Sequence, residues 1–281
     1  MRTAPPSVLY HYTSLDVLTK VISGRKLWAS NYRYLNDASE LIHFWKMIDA
    51  RISLREIYAS ECARGRFAEL KRWIKAGAIS TFVVSFSAKR DDLSQWRGYC
   101  PQGLGVSIGF KSSAIVAALD QFIIPPGPDN LHPVRETGLA LSEITYADFD
   151  CSELDVFIDH LRDAEDTEKN RNLAEAMWRG LSYIAPIYKN SAFENEEEWR
   201  IVIPHRPELK RKRSIRFRVG RSTLVPYIEI DIPTSSEYLA EVVVGSSPNI
   251  KLTVESVTEM LEINGMEAVS VVESEVPYRH W

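Results

Sequence analysis

The chain has 281 residues, of which 45% are apolar and 26% charged, which excludes a disordered or fibrous architecture and suits one large domain or two small ones. Thirty-four basic residues against 38 acidic ones give a net charge of -4, which excludes a globally basic nucleic-acid binder and leaves room for a local basic patch. No apolar run approaches the ~18 residues of a membrane span, and the first residues lack the apolar core of a secretory signal, so a cytoplasmic protein without a membrane partner is expected.

In chain order, Ser7 to Thr13 has strand character. Ser14 then caps a helix carrying Leu15, Leu18, Val21 and Ile22 at helical spacing, with Gly24 expected as its C-cap. Lys26 to Ser30 reads as a second strand. Asn36-Asp37 marks a turn opening a helix with Leu41, Phe44, Trp45 and Ile48 on one side, and another helix covers Phe67 to Lys75. Ala78 to Ala88 and Gly103 to Phe110 read as strands. The proline-rich stretch Ile124 to Pro133 is expected to be a loop.

Asp150 to Tyr188 reads as mostly helical. Strands follow at Glu198 to Pro204, Ser214 to Val219, Pro226 to Ile232 and Ala240 to Gly245. A helix over Lys251 to Ile263 and a strand over Ala268 to Val272 close the chain. Strands and helices mix without strict βαβ alternation, which favours the α+β class. No internal boundary or repeat is evident, so residues 1–281 are expected to form one domain with helical insertions around 38–77 and 150–190.

Cys62, Cys100 and Cys151 lie far apart without a CxxC, so neither a disulfide framework nor a zinc knuckle is expected. The histidines show no metal-ligand spacing, and glycine-rich phosphate loops are absent. Five stretches carry side chains suited to chemistry. Tyr10-His11-Tyr12-Thr13 ends a strand before a helix cap, where an imidazole either serves a ligand or bonds a nearby carbonyl. Asn36-Asp37 with Glu40 reads as a capping turn. Ser85-Phe86-Ser87 leads to Asp91 through Tyr99, where Arg97 suits a pyrophosphate, and Trp96 and Tyr99 either stack on a flat ring or pack on a neighbouring strand.

Glu194 to Glu198 places four carboxylates just before an apolar strand. On an extended chain Glu196 and Glu198 point together and Glu197 away, and crowding of like charge calls for a partner, a raised pKa or a cationic ligand. The alternative is a solvated acidic loop neutralised by Arg200. The stretch from His205 to Arg221 concentrates cations, among them Arg211, Arg213, Arg216 and Arg218. It reads either as a phosphate-tracking surface or as a solvated hairpin.

The order of these segments is more specific than any one of them. LYHYTSLDVLTKVISGRKLWASNYRYLNDASE, VVSFSAKRDDLSQWRGYCPQGLGVSIGF, YKNSAFENEEEWRIVIP, VVVGSSPNIK and a closing SEVPYR resemble a widespread bacterial family described as a domain of unknown function. That family is grouped with the ADP-ribosyltransferase superfamily and recurs near phage-defence and toxin genes. Where it usually shows N-D-P-F-E, this chain has Asn36-Asp37-Ala38-Ser39-Glu40.

The resemblance implies split mixed and antiparallel sheets of the ADP-ribosyltransferase type, NAD as co-substrate and no metal. It also implies a macromolecular acceptor, nucleic acid or protein, and an antitoxin or defence-system partner. By the same resemblance Glu198 stabilises the developing sugar cation and Glu196 positions the acceptor. His11, with Tyr12 and Thr13 beside it, meets the adenosine ribose, and Trp28 or Tyr34 stacks on nicotinamide. Ser85 and Ser87 line the opposite wall, and Arg97 meets the pyrophosphate. The alternatives are an NAD glycohydrolase, or a module without chemistry that binds nucleic acid or protein through residues 206–221.

Overall fold

A computed structural model describes residues 4–35, 38–76, 80–100, 104–124, 134–135, 140–147, 149–165, 167–205, 215–220, 222–232 and 237–277. Asn36-Asp37 and the proline-rich loop beyond Ile124 fall outside them, as do Arg211 and Arg213.

The chain opens with strand β1 (Val8–Ser14), helix α1 (Leu15–Gly24) and strand β2 (Lys26–Asn31). Ser14 caps α1 as expected, its hydroxyl accepting from the Val17 amide, and Leu18, Val21 and Ile22 are buried. The left-handed residue that ends α1 is Arg25 (φ 51), one position beyond the glycine assigned to that role. Two helices follow, α2 (Ala38–Glu56) and α3 (Glu61–Ala76). Then come β3 (Ser80–Ser87), α4 (Leu93–Tyr99), β4 (Gly105–Lys111) and α5 (Ser112–Ala118).

Short strands β5 (Ile123–Ile124), β6 (Val134–Arg135), β7 (Ala140–Glu143) and β8 (Thr145–Tyr146) lead to α6 (Ser152–Asp163) and α7 (Glu168–Ile184). Next are β9 (Tyr188–Lys189), a 3-10 turn over Ser191–Glu196 and β10 (Glu198–His205). The end of the chain holds β11 (Arg216–Val219), β12 (Leu224–Asp231), β13 (Leu239–Val244), α8 (Ile250–Ile263) and β14 (Ser270–Glu273). The class is α+β with one large mixed sheet, whose strands run in the order β11-β12-β2-β3-β1-β4-β13-β14. Every pair along it is antiparallel except β13 with β14.

Strand β3 is the branch point. Along one edge it pairs with β10 through its whole length, from Glu198 opposite Ser87 to His205 opposite Ser80. Its other edge is shared: β2 pairs only at Phe82 and Val83, and β1 only at Ser87. Between those points, at Val84 to Phe86, β1 and β2 part. A gap therefore opens in the middle of the sheet, bridged by the hydrogen bond from the His11 ring to the Ser85 carbonyl (2.9 Å).

Two large apolar cores follow from this layout, with two smaller clusters around Tyr12 and Trp96 and around Tyr32 and Val83 among the described residues. Apolar residues of β1 to β4, β10, β12 and β13 pack with α1, α5 and α8. The helical insertions form a second core of their own, in which Phe44, Ile48 and Ile52 of α2 meet Phe67 and Leu70 of α3, Ile158 and Leu161 of α6, and Trp178 and Leu181 of α7. The segments around 38–77 and 150–190 thus fold onto each other as one helical lobe.

Arg66 of α3 ties that lobe together. Only 5% exposed, it donates to the carbonyls of Leu161 (2.8 Å), Ala164 (2.5 Å) and Glu165 (3.2 Å) at the end of α6. A guanidinium here satisfies orphan carbonyls and opposes the negative end of the helix dipole. Arg66→Met is expected to lower stability by about 3 kcal/mol in urea denaturation. A loss under about 1 kcal/mol would show that the lobe does not depend on this cap.

Candidate functional site

The gap between β1 and β2 widens into a cleft of ≈ 520 Å³. Of the residues singled out in the sequence, His11, Tyr12, Thr13, Trp28, Tyr34 and Ser85 line it. An adjoining cavity of ≈ 50 Å³ shares His11, Tyr12, Ser85 and Tyr99 with the cleft and adds Ser87, Glu196 and Glu198. His11 and Glu198, which are 187 positions apart in sequence, therefore face one hollow. Arg97 does not join them, since it is exposed on α4 and lines neither cavity.

Each of these side chains has a structural reason for its position. The Ser85 carbonyl can only accept, so His11 carries its proton on Nδ1, leaving Nε2 as an acceptor. Burial holds the imidazole below its ordinary pKa, opposed by the Ser85 hydrogen bond and reinforced by the charge of Arg218. Tyr12 is buried with its hydroxyl donating to the Lys89 carbonyl (2.9 Å) and accepting from the Asp92 amide (3.0 Å). It orders the segment leading into α4 and packs edge-on against Trp96, with ring centroids 4.8 Å apart. Trp96 is thus a core residue. Trp28 packs on Tyr227 at 4.7 Å, and Tyr34 is 44% exposed at the rim. Ser87 donates to the Glu196 carbonyl (2.7 Å) and accepts from the Lys89 amide (3.0 Å), so it holds the acidic turn against β3.

The carboxylates meet in a way that the extended-chain reading explains only in its outcome. Glu196 and Glu198 do point together, but Glu196 ends the 3-10 turn and Glu197 is a left-handed hinge (φ 43) before β10 begins. Both converge on Lys189, whose side chain is wholly buried and whose Nζ lies 2.8 Å from Glu196 and 3.1 Å from Glu198. Arg200, also wholly buried, grips Glu198 with two hydrogen bonds of 2.6 and 2.8 Å. It donates as well to the Tyr32 hydroxyl (3.2 Å) and the Pro186 carbonyl (2.7 Å).

Burial raises the pKa of Glu198, but the Arg200 guanidinium, aided by Lys189 and the Ser85 hydroxyl, outweighs it and holds the carboxyl below its ordinary value. The crowding of like charge is therefore resolved by buried partners. Sequence reasoning found Arg200 as a local neutraliser but missed Lys189. Only proximity in space distinguishes that lysine from a surface one, since a single Lys before an acidic run carries no pattern.

The basic stretch does not form one outward stripe among the described residues. Arg216 meets Glu229 at 3.3 Å. Arg218 turns into the cleft and donates to the Ser30 hydroxyl at 3.0 Å. No group of three or more His, Cys, Asp and Glu among the described residues is placed to hold a metal. Nor is any described helix long and apolar enough to cross a membrane.

Residues 95–201 match a family model described as "Protein of unknown function (DUF2971)". This segment runs from α4 through Glu196, Glu198 and Arg200 to Ile201. It contains the acidic turn and the helical lobe's second half, but not His11. No curated protein and no solved structure matches the chain.

Two outcomes are expected. A carboxyl held low in the fold contributes stability that is full above its unfolded value of about 4.3 and is lost as pH falls through its lower folded value. Urea midpoints of the wild type should fall across that acid window, and those of Glu198→Gln should lack this component; equal slopes would contradict the pairing. Lys189→Met leaves Glu198 on Arg200 alone and removes the cation that Glu196 pairs with, and should cost about 3–5 kcal/mol by chemical denaturation.

Proposed function

We propose that the protein cleaves the nicotinamide–ribose bond of NAD and transfers the ADP-ribosyl group to an acceptor. The observation that carries this reading is the meeting of His11 and Glu198 in one hollow at the sheet's split, beside a cleft whose ≈ 520 Å³ suits a small organic ligand. It agrees with the order of motifs that resembles a bacterial family grouped with the ADP-ribosyltransferase superfamily.

The chemistry asks for little from the protein. The bond between C1′ and the pyridinium nitrogen breaks, its electron pair leaves on neutral nicotinamide, and positive charge develops on the sugar as in glycoside hydrolysis. A carboxylate held ionised at that point favours the charged transition state, and Glu198 is so held by its buried partners. Glu196, whose side chain is 16% exposed, stands beside it to accept the proton of an incoming nucleophile. Neutral His11 offers Nε2 to a ribose hydroxyl, while Trp28 and Tyr34 offer flat faces at the cleft wall. With water as the acceptor, the same steps make an NAD glycohydrolase.

One observation favours a second reading. Both Glu198 oxygens are taken by Arg200 and Lys189, as they would be if the carboxylate only braced the fold and the cleft bound a ligand without chemistry. A single assay separates the two. Purified protein with adenine-labelled NAD and a cell lysate should release nicotinamide and either transfer label or yield free ADP-ribose. Glu198→Gln, its fold checked by circular dichroism, should lower that rate by about 100-fold or more. Absence of nicotinamide release and of label transfer in the wild type would overturn the enzymatic reading, and so would full activity in the variant.

A further inference from the structure

Among the described residues that line the cleft, Arg218 is the one cation and none is a carboxylate. It sits on the short edge strand β11, opposite Val225, with its side chain partly buried. The neutral hydroxyl of Ser30 is the hydrogen-bond partner it has there. Glu229, the acid on the same face of the neighbouring strand, is occupied by Lys26 at 2.8 Å and Arg216 at 3.3 Å. Among the described residues Arg218 forms no ion pair, which sets it apart from Arg90, Arg200 and Arg216, each of which meets a carboxylate. Burial lowers its pKa, opposed by the Tyr227 phenol and by no carboxylate. A guanidinium taken out of water without a counter-charge is costly unless an anion completes it.

The surroundings suit such an anion. Ser222 and Thr223, which follow β11, line the cleft on the same side as Gly220 and offer hydroxyl donors. Across the cleft His11 is neutral, and Tyr12 is buried with its hydroxyl already engaged. The planar fork of an arginine matches two phosphate oxygens at once.

We propose that Arg218, with the hydroxyls of Ser222 and Thr223, is the anion-binding corner of the cleft and that its occupant carries phosphate, in the class of a nucleoside diphosphate. Assigning that phosphate to the pyrophosphate of NAD rests on the reading above, whereas the anion site itself does not. The role falls to Arg218 and not to Arg97, which stands outside the cleft. It also gives Arg218 a purpose other than tracking a nucleic-acid backbone.

The test uses ADP and uncharged adenosine as probes, titrated calorimetrically at low salt into the full-length wild type, Arg218→Met and Arg218→Lys. Wild type should bind ADP more tightly than adenosine. Arg218→Met should bind ADP at least about tenfold more weakly with adenosine unchanged, and Arg218→Lys should fall between. ADP should raise the Tm of the wild type and leave that of Arg218→Met in place. Without ligand, Arg218→Met should melt no earlier than the wild type, because the cation it removes has no counter-charge to lose.

Equal ADP affinity in wild type and Arg218→Met would overturn the proposal. So would a wild type that does not prefer ADP to adenosine. A variant that melts early and loses both probes would make Arg218 a structural residue, and that also overturns it. A protein that never cleaves NAD yet binds ADP through Arg218 would sink the enzymatic reading and leave the anion site standing.

Discussion

The most demanding feature of this fold is the charge cluster of Glu196, Glu198, Lys189 and Arg200. Taking Glu198, Lys189 and Arg200 out of water costs several kcal/mol for each, and removing one partner strands the others. The cluster persists because its positive and negative groups balance and because Arg200 is hydrogen-bonded beyond the pair, to Tyr32 after β2 and to Pro186 after α7. Those two contacts make it a junction. Through Pro186 it fastens the end of the helical lobe to β10, and through Tyr32 it fastens β10 to the strand that forms one lip of the cleft. The lobe and the sheet have separate large cores, and this polar joint lies beside the small apolar cluster in which Tyr32, Val83 and Val202 meet Tyr183 and Ile187 across the junction.

The gap in the sheet follows from how β3 is shared. A strand fully paired to β10 on one edge can receive two short partners on the other, and β1 and β2 each take only its ends. Helix α1 connects the two and packs Leu18, Val21 and Ile22 into the main core. The strands can therefore part without losing their anchorage. A hydrogen bond from His11 to the Ser85 carbonyl replaces the missing ladder at the point of parting, which fixes the imidazole's tautomer as well as its place. Backbone left unpaired by the split is thus what gives a cleft-facing side chain its chemical state.

Much of this architecture is legible in the sequence, for identifiable reasons. Ser14 before a run at helical spacing and the β-branched run of β3 are local signals, and the structure follows them within a few residues. Glycine is the usual left-handed residue at a helix end, which points to Gly24, yet Arg25 adopts that conformation here and hydrogen-bonds the Asn264 carbonyl from it (3.4 Å). Strand periodicity predicts the convergence of Glu196 and Glu198, whereas a hinge at Glu197 produces it. Lys189 and the inward turn of Arg218 were beyond the sequence's reach. Both depend on which strands become neighbours across long separations, and neither residue type nor spacing encodes that.

The distribution of charge around the cleft links these features. On the β10 side two carboxylates face two cations, so that wall is close to neutral as a whole, although Glu196 keeps some contact with solvent. On the β11 side Arg218 stands without a counter-charge among the described residues. A ligand that complements such a hollow carries its negative charge toward β11, away from the Glu198 wall. NAD has that polarity, with phosphates at its middle and a cationic pyridinium at one end, and under the proposed reading the pyridinium end lies by the carboxylates. Under that reading, the balance of charge around Glu198 would serve selectivity for the transition state. A carboxylate with no cations beside it would hold the substrate's pyridinium tightly in the ground state, and binding substrate and transition state alike does not speed the chemical step. A carboxylate already balanced gains most where new positive charge develops on the sugar.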